Sequence, residues 1–392
     1  MCAKDLQQRL PLLALSIALS VISLGCMTPP PLHSGSSAKP AADVPALEPI
    51  TELNAWSASS RMAPGINIGN TFDNTTEWEV GWGQPRITKE YVEKLAGLGF
   101  KTVRLPVAWD TYAVKGRIQP DKFRRVSEVV DWVTKAGMFC VLNIHWDGGW
   151  IDSSHKEHFP KTFATFSAQA EKKYRSYWQQ ISSYFAGKNE KLIFEALNEE
   201  TNFSNEGSTE KAYATLTRVN QLFVDTVRYT GGNNAKRLLI VAGYNTDITK
   251  TCAKEYKLPT DATPGRLFIS VHYYTPWQFC GMTEDADWGK VALTWGSDSD
   301  VAELNRLFDA MGGFCSRNDI PAFIGEYGVA AKKEPASRIR WMAAMNQAAI
   351  SRKMVPVLWE TGNDITRGEP YTPTPELLEV LKLLPFAASG NH

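Results

Sequence analysis

The chain has 392 residues, 43% of them apolar and 21% charged, which is the composition of an ordinary globular protein with ample material for a core. Its 42 Lys and Arg balance 42 Asp and Glu, so no field of one sign exists to draw nucleic acid or an anionic membrane surface. A neutral partner fits that balance. Thirteen Trp and thirteen Tyr supply flat faces with polar edges, suited either to core packing or to stacking on sugar rings.

Lys4 and Arg9 precede an apolar run from Leu10 to Leu24, the pattern of an export signal and too short to span a membrane comfortably. Ser23-Leu24-Gly25-Cys26 resembles a bacterial lipoprotein cleavage site, which implies that Cys26 becomes the lipidated first residue; Ser23 departs from the branched apolar residue usual there. Residues 1–25 are thus expected to be a lipoprotein-type signal peptide and 26–49 a tether rich in Pro, Ala and Ser. The folded domain is expected over 50–386. This places the protein outside the cytoplasm, anchored at a bacterial membrane or cell surface through lipid alone.

From Ile50 onward, short apolar runs alternate with amphipathic stretches. The strand-like runs are Gly65–Gly69, Thr102–Pro106, Phe139–His145, Leu192–Asn198, Arg237–Ala242, Leu267–Tyr273, Pro321–Glu326 and Val355–Trp359. Helical spacing marks Thr88–Leu98, Asp121–Ala136, Ser167–Phe185, Thr209–Arg228, Val301–Arg317 and Ser337–Arg352, with Cys252–Leu258 the weakest of the series. Near-continuous apolar strands separated by helices predict a parallel sheet covered on both faces. Eight such units predict an α/β fold closed as a (β/α)8 TIM barrel in a single domain.

Past the signal, Cys140, Cys252, Cys280 and Cys315 are too widely spaced for a zinc ribbon. Cys140, inside an apolar run, reads as a buried small hydrophobe, and a Cys252–Cys280 bridge is one candidate pairing in an oxidising compartment. His155 and His158 lie near His145, Asp147 and Asp152, a grouping with some likeness to a ligand set. The reading taken is two surface histidines on a loop, with no metal and no other cofactor.

Reactive side chains gather where the strand-like runs end: Arg104, His145, Asn198 with Glu199, His272 with Tyr274, Glu326 and Trp359. In a parallel barrel those ends share one rim, so residues spread along the chain converge on one cleft. Cleaving a glycosidic bond needs a proton donor for the leaving oxygen and a carboxylate on the opposite face of the ring. Glu199 and Glu326, ending the fourth and seventh runs, supply that pair.

The motifs Leu197-Asn198-Glu199, Ile324-Gly325-Glu326-Tyr327-Gly328, Thr102-Val103-Arg104-Leu105-Pro106, Asn143-Ile144-His145, Val271-His272-Tyr273-Tyr274 and Leu358-Trp359-Glu360 closely resemble glycoside hydrolase family 5, cellulase family A, from about Ile66 to Asn363. The resemblance implies that Glu199 is the acid/base and Glu326 the nucleophile of a retaining reaction, with carboxyls roughly 5 Å apart. It also implies that Arg104 and Tyr274 donate to the nucleophile, that His145 and His272 line the cleavage site, that Asn198 holds the sugar 2-hydroxyl and that Trp359 floors the adjacent sugar. Two positions depart from the family pattern: Glu200 stands where Pro usually follows the acid/base, and Trp146 where a second His is common.

Glu200 is expected to face solvent, and Trp146 and Trp150 to add stacking surface. Gly65-Ile66-Asn67-Ile68-Gly69-Asn70-Thr71-Phe72-Asp73 resembles the first-strand motif of the family's endoglucanases, which implies sugar contacts at Asn67 and Asp73. Trp78, Trp82, Trp277, Trp288 and Trp295 are expected along the cleft walls. The sequons at Asn74 and Asn202 carry no weight in a chain of bacterial type. The activity implied is an endo-β-1,4-glucanase acting, as a monomer, on cellulose or mixed-linkage β-glucan. The alternatives are the same mechanism on glucomannan, mannan or xyloglucan, or a glycan-binding lipoprotein without turnover.

Overall fold

A computed structural model describes residues 47–49, 53–152 and 166–385. Cys26, His155, His158 and the tether as far as residue 46 lie outside the described residues.

Eight strands follow in chain order: β1 (Gly65–Asn67), β2 (Thr102–Leu105), β3 (Phe139–Asn143), β4 (Leu192–Glu195), β5 (Leu239–Ala242), β6 (Leu267–Tyr273), β7 (Ala322–Tyr327) and β8 (Val355–Leu358). Each pairs in parallel with the next, and β8 returns to pair with β1, which closes the barrel. The helices are α1 (Ala55–Met62), α2 (Lys89–Gly97), α3 (Pro120–Lys135), α4 (Ala168–Tyr184), α5 (Thr209–Tyr229), α6 (Ile248–Thr251), α7 (Trp277–Cys280), α8 (Asp298–Asn318), α9 (Pro335–Ser351) and α10 (Pro375–Leu383). Their starts are encoded locally. Thr88, Ser167, Ser208 and Thr374 accept a backbone N–H as N-caps of α2, α4, α5 and α10. Ser297 and Asp300 form a reciprocal capping box on α8, while Pro120 and Pro335 open α3 and α9 at the position where a missing N–H costs nothing.

The strands are apolar on both sides, but the two sides do different things. Val103, Leu105, Cys140, Leu142, Leu192, Phe194, Leu239 and Val241 join the core shared with the helices. Their neighbours Phe139, Val141, Ile193, Ile240, Phe268, Phe323, Val355 and Val357 fill the lower barrel, where Leu53, Ala55, Ala58 and Met62 pack against them. α1 therefore plugs the amino-terminal end. One layer higher the inward positions turn polar: Asn67, Arg104, Asn143, Glu195 and Ser270 are all buried.

The strands stop one to three residues short of most of the apolar runs, because the chain leaves the ladder to turn onto the rim. α1 was not foreseen, since it buries small residues and one Met rather than a broad apolar stripe; α10 likewise lies past the last anticipated helix. In the fifth connection the helix is the single turn α6, and Cys252 only caps it. The Cys252–Cys280 bridge does not form: Cys140, Cys252, Cys280 and Cys315 are all free thiols, with Cys140 fully buried.

Candidate active site

Two register shifts prepare the rim. Pairing between β6 and β7 slips at Val271/His272, which sets His272 opposite Glu326, and pairing between β7 and β8 slips between Ile324 and Tyr327. Such bulges re-aim side chains at barrel rims. Here they turn His272 and Glu326 toward the cleft.

Arg104 is the hub beneath them, with no exposed surface. Its Nε donates to Glu195 Oε2 (2.6 Å), its Nη1 to Glu326 Oε1 (2.8 Å) and Asn67 Oδ1 (3.0 Å), and its Nη2 to Asn198 Oδ1 (2.9 Å). Glu195 is held in turn by Asn143 Nδ2 at 3.1 Å and Ser270 Oγ at 3.0 Å. One fixed cation thus serves two buried carboxylates, and the planar fork fixes their relative placement. Tyr274 donates its hydroxyl to the other oxygen of Glu326 at 3.0 Å.

His272 Nδ1 lies 2.7 Å from Glu199 Oε1 and 3.7 Å from Glu326 Oε2. One oxygen of each carboxylate and a ring nitrogen of His272 all fall within 4.8 Å of one another. The Glu199 side chain is 41% exposed against 8% for Glu326, so Glu199 reaches into the cleft while Glu326 forms its floor.

The electrostatics follow from this packing. Burial pushes Glu326 above the usual carboxylate range, with His272 and Arg104 opposing and Glu199 adding to the rise. Burial also raises Glu199, but the hydrogen bond and charge of a protonated His272, with Arg104 beyond, outweigh it and bring Glu199 below its ordinary value. Burial lowers His272, yet Glu326 and Glu199 outweigh it and hold the imidazole above its ordinary range. Moving the proton across the 2.7 Å bond gives neutral His272 and protonated Glu199 at the same total proton count. The trio therefore titrates as a unit. His145 stays neutral: burial, Arg104 and His272 all lower it far below the usual range. Its ring stacks on Trp359, centroids 5.7 Å apart and 5° from parallel.

Gly69 explains where the Trp359 indole can lie. A Cβ there would come within 2.9 Å of Trp359 Cη2, so only glycine lets β1's loop pass beneath the ring. Trp277 is placed the same way. Its indole covers Gly281, where a Cβ would meet ring carbons at 2.4 Å, and it meets Tyr274 edge to face at 6.1 Å. The cleft, ≈ 470 Å³, runs from His145, Asn198, Glu199 and Glu326 past Tyr274, Trp277 and Trp359 to Asn363. A wider depression between α4 and α5 on the outer wall holds none of these groups.

Arg104, His145, Asn198, Glu199, His272, Tyr274, Glu326 and Trp359 are thus gathered at one place. Asn67 and Asp73 are not part of the cleft surface. Asn67 has no exposure and donates to the carbonyls of Gly325 (2.9 Å) and Leu358 (3.1 Å) while accepting from Arg104; it ties β1 to β7, β8 and β2. Asp73 is buried and accepts from the amides of Asn70 and Thr71, and burial carries it up to about 6 despite those bonds. Glu200 does not face solvent; it is only 9% exposed.

The tryptophans divide. Trp277 lines the cleft; Trp82, Trp146 and Trp288 are exposed; Trp295 is core. Trp150 packs under Lys173 and donates to Asp147, and Trp78 packs on Phe72. No motif in the sequence marks Glu195 or Ser270, and Asn143 enters there only as part of Asn143-Ile144-His145. The one available signal was a carboxylate in the middle of the apolar run Leu192-Ile193-Phe194-Glu195-Ala196-Leu197.

Comparison with known proteins agrees with this site. The family model for cellulase (glycosyl hydrolase family 5) matches residues 63–364. Endoglucanase A of Paenibacillus barcinonensis is 34% identical over 80% of this chain and 84% of its own. The xyloglucan-specific endo-beta-1,4-glucanase of Bacteroides ovatus is 30% identical over 82% and 69%. Among solved structures, a broad-specificity endoglucanase from an uncultured bovine rumen ciliate is 31% identical with a TM-score of 0.75, covering 86% of this chain and 99% of that one. With its closed eight-strand barrel and paired rim glutamates, the chain belongs to glycosyl hydrolase family 5, the cellulase family, and is a glycoside hydrolase.

Proposed function

We propose that the protein is a retaining endo-β-1,4-glucanase that hydrolyses cellulose or mixed-linkage β-glucan by double displacement. The observation that supports this reading is that one Glu199 oxygen comes within 4.8 Å of one Glu326 oxygen, with His272 Nδ1 between them at 2.7 Å and 3.7 Å. Retaining enzymes hold their carboxyls about 5 Å apart, whereas inverting ones leave roughly 6.5–9.5 Å for a water.

Glu326, steadied by Arg104 and Tyr274, attacks the anomeric carbon. Glu199 gives its proton to the leaving oxygen, then draws one from the water that releases the glycosyl-enzyme. Protonation of Glu199 requires the neutral form of His272, because burial and the Glu326 charge then both favour the acid. Asn198, its Oδ1 held by Arg104, offers its amide to the 2-hydroxyl, and Trp359 floors the sugar beside the cut.

The substrate is read from the relatives: endoglucanase names support a β-1,4-glucan backbone. A second reading, the same chemistry on xyloglucan, is favoured by the identity with the Bacteroides ovatus enzyme. The proposal extends to export and lipid attachment at Cys26, supported by the charged start, the apolar run and the Leu24-Gly25-Cys26 site; loss of palmitate labelling in Cys26→Ala tests it.

The deciding experiment is proton NMR of the first products from barley β-glucan, carboxymethyl cellulose and xyloglucan, with Glu326→Gln as the blank. Initial release of the β-anomer supports the mechanism, and initial α-anomer overturns it. The ranking of the three rates assigns the substrate.

A further inference from the structure

Glu200, which stands where relatives of this family usually carry proline, is unused by the mechanism above. Its Oε1 accepts the Asn198 amide at a long 3.4 Å, and its Oε2 is buried with no partner. Among the described residues, the side chains around it are of the wrong kind to hold an anion. Asp152, from the loop after β3, and Glu195, from β4, both act on it as like charges, and the Tyr174 hydroxyl of α4 is spent on the Ala196 carbonyl. No Lys, Arg or His pairs with Glu200 among the described residues.

Beside it lies a small cavity bounded by Asn198, Glu200, Phe203, Tyr244, Asn245 and Thr246, with room for about one water. Asn245 Oδ1 is a second buried acceptor without a partner on that cavity. The β5 turn that presents it is strained: Asn245 and the β-branched Thr246 both have left-handed backbones, φ 50° and 51°. Such geometry persists only where surroundings over-determine it.

We infer that Glu200 is a positioning residue for the acid/base loop, its carboxylic acid joined to Asn245 through one buried water. The inference rests on Glu199 being the acid/base. Burial together with Asp152 and Glu195 holds Glu200 far above the usual carboxylate range, so it keeps its proton. The O–H of Glu200 donates to the water, the water donates to Asn245 Oδ1, and both orphan oxygens are served. The bridge pins the loop after β4 to the turn after β5. Asn198 and Glu199 lie just before the pinned residue, so their approach to the leaving oxygen depends on it.

The test compares Glu200→Gln, Glu200→Ala and Asn245→Ala on barley β-glucan and on an aryl cellobioside whose leaving group departs without protonation. Glu200→Ala and Asn245→Ala are expected to lower kcat/KM on β-glucan about tenfold, and to leave kcat/KM for the activated glycoside, which reports glycosylation alone and needs no acid, within twofold. Glu200→Gln, uncharged and of the same shape, restores most of the loss, and its alkaline limb superimposes on the wild-type one. A crystal structure shows one water between Glu200 and Asn245, and infrared difference spectra against Glu200→Gln show a protonated carboxyl at neutral pH.

Equal losses of kcat/KM on both substrates, an alkaline limb moved downward in Glu200→Gln, or absence of that carboxyl band overturns the proposal. The infrared and crystallographic readouts need no turnover, so they stand apart from failure of the glucanase reading.

Discussion

Replacing Glu195 by Gln removes one negative charge from the buried Arg104 cluster while keeping its shape. The Gln oxygen can take the Oε2 position and accept from Arg104 Nε and Asn143 Nδ2, while its amide faces Ser270 Oγ, a hydroxyl free to turn and accept. What is lost is the difference between a charged and a neutral hydrogen bond, about 1–2 kcal/mol, a fall of a few degrees in Tm at this size. The effect on Glu326 runs the other way. It loses a like charge on the far side of the same guanidinium, so it ionises more readily, and the acid limb of kcat/KM is expected to move down by about one pH unit.

Arg104→Met makes the opposite change. Two buried carboxylates lose their shared cation, the stability loss is about 3–5 kcal/mol, and the acid limb moves up. The assay is kcat/KM on β-glucan across the pH range for both variants, beside thermal unfolding. Shifts of the same sign, or an unmoved limb in Glu195→Gln, would refute the claim that this cluster sets the charge of Glu326.

His272 is held above its ordinary 6.5 in the fold. The stability it contributes is fully present below that value and is lost as pH rises from 6.5 through the higher folded value. Wild-type Tm is expected to decline across that window, and His272→Gln to flatten the decline. Gly69→Ala places a Cβ 2.9 Å from Trp359; tilting the indole is expected to lower kcat/KM about tenfold, roughly 1.4 kcal/mol, with Tm nearly unchanged. The proposed two-glutamate mechanism calls on no metal, so chelation is expected to leave the rate unaltered. Added zinc is expected to inhibit competitively, because Glu199, His272 and Glu326 present ligand atoms within 4.8 Å of one another; activity lost to a chelator would contradict the mechanism.

The sequence by itself determined the barrel and its rim. Strand and helix periods are local properties, and a parallel closed sheet puts every carboxyl end on the same side, so Arg104, His145, Glu199, His272, Glu326 and Trp359 are legible as one site before any coordinates exist. Inward and outward were not legible: strands buried on both faces show no alternation, and the polar layer of Asn67, Asn143, Glu195 and Ser270 is hidden among apolar neighbours. The same blindness made Asn67, Asp73 and Glu200 look available to sugar or solvent, when packing from distant segments covers all three. Only the tertiary structure decided which polar groups the cleft presents and which ones hold the barrel in place, because a side chain's exposure depends on what the rest of the chain lays over it.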